Sequence, residues 1–82
     1  MKELKDTVDG MLSSDYKERF KAEYEQLKIR YNKLDAMLTK WNKGELDFVP
    51  TCPKDILEDQ IIYMYNYLDI LQRRAEIENI EL

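Results

Sequence analysis

From Asp15 to about Lys43 the apolar positions Phe20, Tyr24, Leu27, Tyr31, Leu34, Leu38 and Trp41 follow one another at alternating intervals of four and three. That spacing keeps one apolar face along a helix and suits near-parallel, left-handed packing against a second helix. Glu18, Lys21, Glu25, Lys28, Arg30 and Lys33 fall largely off the stripe, as a solvated face requires. Asp15 followed by Glu18 predicts a capping-box start. Asn42-Lys43-Gly44 predicts the stop, with lysines at the negative end of the helix dipole and Gly44 taking left-handed backbone.

Residues 44–52 form a connector in which Leu46, Phe48 and Val49 alternate with polar residues. No partner strand exists elsewhere in the sequence, so this reads as an ordered loop pinned by Phe48, with Pro53 as the first residue of the next helix. Over 53–78 the positions Leu57, Ile61, Met64, Leu68, Leu71 and Ala75 repeat the four-and-three spacing. Two helices of this length, each roughly 40 Å long at 1.5 Å per residue, joined by a short loop, predict an all-α antiparallel helical hairpin.

The second helix carries more apolar surface than a hairpin can bury. Tyr63, Tyr67, Ile70 and Ile77 run one position before its core stripe, and Ile62 and Tyr65 widen the arc. Residues 1–12, with Leu4, Val8, Met11 and Leu12 at helical spacing, predict a short amphipathic helix ending near Gly10 to Ser14. A helix this short is marginal alone. It is expected to dock on the hairpin or on a neighbouring subunit and to cover part of the surplus arc. The rest of the arc predicts a homo-oligomer in which hairpins share faces, with Tyr63, Tyr67 and Ile70 at the interface.

Composition narrows the function classes. The chain has 82 residues with 37% charged, 44% hydrophobic, one cysteine, no histidine and a formal net charge of −4. One domain fits, and its core is small. A single Cys52 excludes an intrachain disulfide, and the lack of histidine excludes zinc-finger spacing. No stretch reaches the roughly 18 apolar residues of a membrane span, and Met1-Lys2-Glu3-Leu4-Lys5-Asp6 lacks the apolar core of a signal peptide. The mild acidic balance of 17 Asp+Glu against 13 Lys+Arg argues against duplex DNA as a partner.

These residues offer little to an enzyme. Catalysis would rest on carboxylates, Lys, Tyr or Cys52, and no partnered arrangement activates any of them. Cys52 reads as a small loop residue under the turn, and Tyr24 and Tyr31 read as core. Tyr16 differs: it falls in the first turn of the long helix beside Lys17, Arg19 and Lys21 and the backbone N–H groups of residues 14–17. A helix N-terminus favours phosphate, basic side chains neutralise it, and an aromatic ring stacks a base. An antiparallel hairpin brings Arg73 and Arg74 to the same end.

The run Ser14-Asp15-Tyr16-Lys17-Glu18-Arg19-Phe20-Lys21-Ala22-Glu23-Tyr24, the loop Leu46-Asp47-Phe48-Val49-Pro50-Thr51-Cys52-Pro53 and the ending Arg74-Ala75-Glu76-Ile77-Glu78 with Ile80 and Leu82 resemble a small-protein family of crAss-like phages and of phages and prophages of Gram-positive bacteria. That resemblance implies phage origin and action in the cytoplasm of the infected bacterial host, and brings no activity with it. Leu27-Lys28 and the Leu71-x-x-Arg74-Ala75 ending are more distantly similar to the helical-hairpin nucleotide sponges with which phages sequester the cyclic nucleotide signals of CBASS and Thoeris immunity. The loop from Phe48 to Pro53 departs from that pattern.

The sponge resemblance implies an oligomer in which an aromatic residue holds the base and basic residues of adjacent subunits hold the phosphates. On it, Tyr16 is expected to stack a base while Arg19, Lys28 and Arg74 meet phosphates across a subunit boundary, with no cofactor, metal or turnover. The alternative is a protein-binding module that docks the Ile56, Tyr63, Tyr67, Ile70 face on a bacterial defence or replication protein.

Overall fold

The computed structural model describes residues 2–82. A 3-10 turn, Leu4–Thr7, runs into a single α-helical turn, Val8–Met11 (α1). Two long helices follow, Tyr16–Asn42 (α2) and Lys54–Glu78 (α3), packed against each other as a hairpin. The all-α hairpin expected from the sequence is therefore present, with helix limits within a residue of 15–43 and 53–78. Of the expected 1–12 helix, Met1 lies outside the described residues, and the helical part runs from Leu4 to Met11, its first half 3-10.

The two stripes meet. Phe20, Tyr24, Leu68, Leu71, Ala75 and Ile80 form the buried cluster, and Leu27 and Tyr31 pack against it. Leu38 is buried further along α2. The best-covered part of the core lies toward the end where α2 begins and α3 finishes. Leu71 is completely buried there.

Both helix exits use left-handed residues. At the end of α2, Gly44 has φ +72°, the Glu45 amide donates to the Lys40 carbonyl at 2.8 Å and the Gly44 amide to that of Trp41 at 3.0 Å. At the end of α3, Asn79 takes φ 57° and the Ile80 amide donates to the Ala75 carbonyl at 2.8 Å. These are Schellman-type stops. The second one folds Ile80 back under the hairpin, where it completes the core.

Three expectations from the sequence are corrected by the structure. The N-terminal segment docks on α2 and makes no contact with α3 among the described residues. It therefore leaves the Tyr63, Tyr67, Ile70 arc bare. Its docking face is also not the bulky Leu4, Val8, Met11, Leu12 row: Thr7 is the buried residue, donating its hydroxyl to the Leu4 carbonyl at 2.7 Å, while Val8, Met11 and Leu12 stay exposed. Small residues let two backbones approach, and a Cβ placed on Gly10 would lie 3.0 Å from that of Ala22. Third, Phe48 does not pin the connector; it is half exposed, and Leu46 is the better covered residue. Asp15 caps α2 where the sequence puts the helix start, its carboxylate accepting from the Lys17 amide at 3.0 Å, so the helix N-terminus is already partly occupied by a carboxylate.

The molecule is a rod of 43 × 24 × 19 Å with a radius of gyration of 14.9 Å, against about 12 Å for a compact chain of this length. Two expected outcomes rest on this packing. Leu71→Ala removes the one completely buried large side chain and should cost ~2–5 kcal/mol, enough to abolish the cooperative thermal transition seen by circular dichroism in a core this small. Gly10→Leu should cost ~1–3 kcal/mol by overpacking and expose residues 2–12 to limited proteolysis while leaving the helical signal of the hairpin in place; an unchanged cleavage pattern would contradict the Gly10–Ala22 contact.

Candidate functional site

The antiparallel hairpin brings the first turn of α2 against the last turns of α3, and four side chains close on one another there. The Tyr16 hydroxyl donates to Glu78 Oε1 at 2.5 Å and accepts from Arg74 Nη2 at 3.0 Å. Arg74 Nε donates to Glu78 Oε2 at 3.3 Å across one turn of α3. The Arg74 guanidinium lies 4.9 Å from the centre of the Phe20 ring, within cation–π range. Tyr16 meets Phe20 edge-on at 6.2 Å and remains 46% exposed. A neutral phenol thus sits between a cation and an anion, on an aromatic floor.

The hydrogen bond to Glu78, followed by partial burial and the carboxylate's charge, raises the Tyr16 pKa above its ordinary value of 10.0. The same bond, with help from Arg74 and against some desolvation, lowers the Glu78 pKa below 4.5. Because these groups remain solvent-accessible, the pair is a positioning device more than a source of stability.

Of the residues expected to bind ligand, Tyr16 and Arg74 are brought together although 58 positions separate them. Arg19 lies one turn along α2, but its Nη1 donates back to the Ser13 carbonyl at 2.9 Å, which ties it to the preceding loop. Lys28 is elsewhere: twelve residues beyond Tyr16, about 18 Å along the helix. Its Nζ sits 5.7 Å from the centre of the Tyr24 ring. There it borders a groove of about 160 Å³ lined also by Tyr31, Tyr65 and Gln72, in which Gln72 Nε2 donates to the Tyr24 hydroxyl at 2.8 Å. Within one chain, Lys28 and the Tyr16–Arg74 pair are two separate places.

A larger open groove of about 540 Å³ runs between α2 and α3, bordered by Glu23, Arg30, Gln60 and Tyr67. Tyr67 donates its hydroxyl to Glu23 across it, which raises the Tyr67 pKa. Tyr63 and Ile70, the other residues expected at an interface, are exposed on the hairpin.

Two members of the cluster are not among the residues the sequence singles out for binding. Phe20 belongs to the core stripe, as its spacing predicts, yet its ring also carries Arg74. Glu78 lies on neither apolar stripe, although its four-residue spacing from Arg74 on one helix is a recognised ion-pair signal.

The cluster has a pH signature of opposite sign at its two ends. Tyr16 stabilises the fold below pH 10.0 and that contribution is lost as pH rises through its raised value. Glu78 contributes above 4.5 and the contribution is lost as pH falls through its lowered value. An ultraviolet titration, with Tyr16→Phe as the reference, should show Tyr16 ionising above 10.0 in the parent protein and at a lower pH in Glu78→Gln, where the carboxylate that favours the neutral phenol is gone. Identical titrations would mean the pair does not persist in solution.

Neither curated proteins nor solved structures include a significant match to the chain. A family model does match, that of Sequestin, over residues 14–77. The match begins in the loop before α2, includes Tyr16, Phe20, Lys28 and Arg74, and ends beside Glu78. It covers the whole hairpin seam and omits the docked N-terminal segment, and on that coverage the chain belongs to the Sequestin family.

Proposed function

We propose that this chain is a non-enzymatic, homo-oligomeric sequestering protein of phage origin that works in the cytoplasm of the infected bacterium. Its ligand is a small anion with a flat ring, a cyclic nucleotide of anti-phage immune signalling. The family's name supports sequestration in general, meaning binding without turnover. The observation that carries the ligand class is the Tyr16–Arg74–Phe20 cluster: an exposed aromatic ring beside a guanidinium held on a second ring. Arginine in that posture presents its donors in a fork that matches phosphate oxygens, and the Tyr16 ring offers a stacking face. Glu78 stands where an anion would bind, so ligand entry exchanges one carboxylate for a phosphate. Lys28, too distant to share this place within one chain, meets the ligand only if a second copy brings it there.

A second reading, a module that docks on a bacterial defence or replication protein, is favoured by the bare face of α3. The two are separated by calorimetry and thermal-shift measurements against cyclic di- and trinucleotides and cyclic ADP-ribose isomers. The sequestration reading expects at least one compound to bind and to be recovered chemically unchanged. It also expects Tyr16→Ala and Arg74→Ala to weaken binding roughly 10- to 100-fold, the range of a charged hydrogen bond or a lost stack, and Glu78→Gln to tighten it. If no compound binds, or if Arg74→Ala binds as tightly as the parent, the reading is wrong.

A further inference from the structure

We infer that the bare face of α3 is the contact with a second copy of this chain, and that the two α3 helices run antiparallel about a two-fold axis passing between Asn66 and Tyr67. The inference does not depend on the ligand reading. Ile56, Tyr63, Ile70 and Ile77 recur every seventh residue along α3. They lie away from the Leu57–Ala75 seam, Ile56 and Ile70 being 52% exposed, Tyr63 72% and Ile77 80%. A seven-residue apolar repeat over about 32 Å of helix is the pattern of a helix–helix seam, and α3 presents one to each side: one row faces α2, and the other meets no element among the described residues.

The surface area agrees. The chain exposes 6252 Å² at 9.9 kDa, where a compact monomer of that mass exposes about 5,200 Å². The excess, on the order of 1,000 Å², is comparable to what each partner of a stable pair hides.

Charge decides the occupant and its direction. On the outer flank of the row the seven-residue repeat reads Asp59, Asn66, Arg73, and on the flank toward α2 it reads Gln60, Tyr67, Arg74. Asp59 has no ion-pair partner among the described residues, and Arg73, which holds Asp69 one turn back at 2.8 Å, remains largely exposed. Parallel pairing would lay the outer flank of one copy on the inner flank of the other, Asp59 on Gln60 and Arg73 on Arg74, which leaves the acid unpaired and sets two arginines together. Antiparallel pairing sets Asp59 of one copy against Arg73 of the other, Asn66 beside Asn66 at the axis, and Ile56 against Ile77. Each contact is then returned by its symmetry mate, as a two-fold interface requires. Flanking charges of this kind fix partner and orientation in paired helices, and antiparallel alignment also opposes the helix dipoles. A sequence complementary to its own reverse, along a face that no other element covers among the described residues, specifies the chain itself as partner.

The test begins with the unaltered protein in sedimentation velocity and light scattering. A dimer or a higher even-numbered assembly is expected; a monomer across the micromolar range overturns the inference and leaves the face to another partner. Ile70→Glu with Tyr63→Glu should yield monomers of unchanged helicity by circular dichroism, and an assembly that survives both changes overturns it as well. Orientation is read in a Cys52→Ser background with a short bis-maleimide. Asn66→Cys should cross-link to itself, and Asp59→Cys should cross-link to Arg73→Cys in a mixture but not to itself. Self-linkage of Asp59→Cys, or none by Asn66→Cys in an assembled protein, rules out the antiparallel axis. Exchanging charges should separate the contribution of the ion pair: Asp59→Arg or Arg73→Asp alone weakens association, and the two together restore it. Ligand affinity of Arg74→Ala is a different measurement, so a failed binding screen and a failed interface are told apart.

Discussion

The contact between the Phe20–Trp41 stripe of α2 and the Leu57–Ala75 stripe of α3 carries the burial on which this fold rests. Two helices share one seam, and a seam hides one face of each. The remaining faces meet different fates. The back of α2 receives the N-terminal segment, through the close approach of Gly10 to Ala22. The back of α3 receives nothing from its own chain among the described residues. The same seam aligns the helix ends, so the first turn of α2 and the last turns of α3 stand side by side, and the cluster of Tyr16, Phe20, Arg74 and Glu78 is a consequence of hairpin length and register.

That dependence explains which features are legible in the sequence. Heptad stripes are long, redundant signals, and the fold, the limits of its helices and the meeting of Tyr16 with Arg74 all derive from them. Gly44 is legible because a left-handed stop after two lysines is a local code; the equivalent stop at Asn79 uses a residue that occupies that region less often than glycine, and with it the burial of Ile80 is hidden. The N-terminal segment misleads for a different reason. Counting apolar side chains selects Leu4, Val8, Met11 and Leu12, whereas the contact depends on how closely two backbones can pass, and Thr7, Gly10 and Ala22 permit that. Lys28 illustrates a further limit: a motif places a residue on a helix but not within reach of another, and twelve residues of α-helix amount to about 18 Å.

The proposed interface and the candidate site are coupled through geometry. With the axis between Asn66 and Tyr67, Arg74 lies about seven residues from it in each copy. The two Tyr16–Arg74 clusters are then roughly 20 Å apart along the paired helices, at 1.5 Å per residue. Each approaches the acidic first turns of the partner's α3. A pair built this way presents two equivalent places on one surface, and further copies are needed to bring Lys28 to either of them. The proposed sequestration, binding without turnover, would need no activated nucleophile, and it would draw only on the tyrosine, lysine and arginine side chains described above.

The Glu78 carboxylate is tethered one helical turn from Arg74 and bonded to both Arg74 and Tyr16. Any anion reaching that guanidinium competes with a carboxylate that the same helix keeps beside it, an intramolecular partner that dilution does not remove. On the proposed binding role, a ligand with several charged oxygens, or with a second foothold beyond Arg74, displaces the resident carboxylate more readily than a single weak charge does, so Glu78 would set a selectivity threshold on that guanidinium.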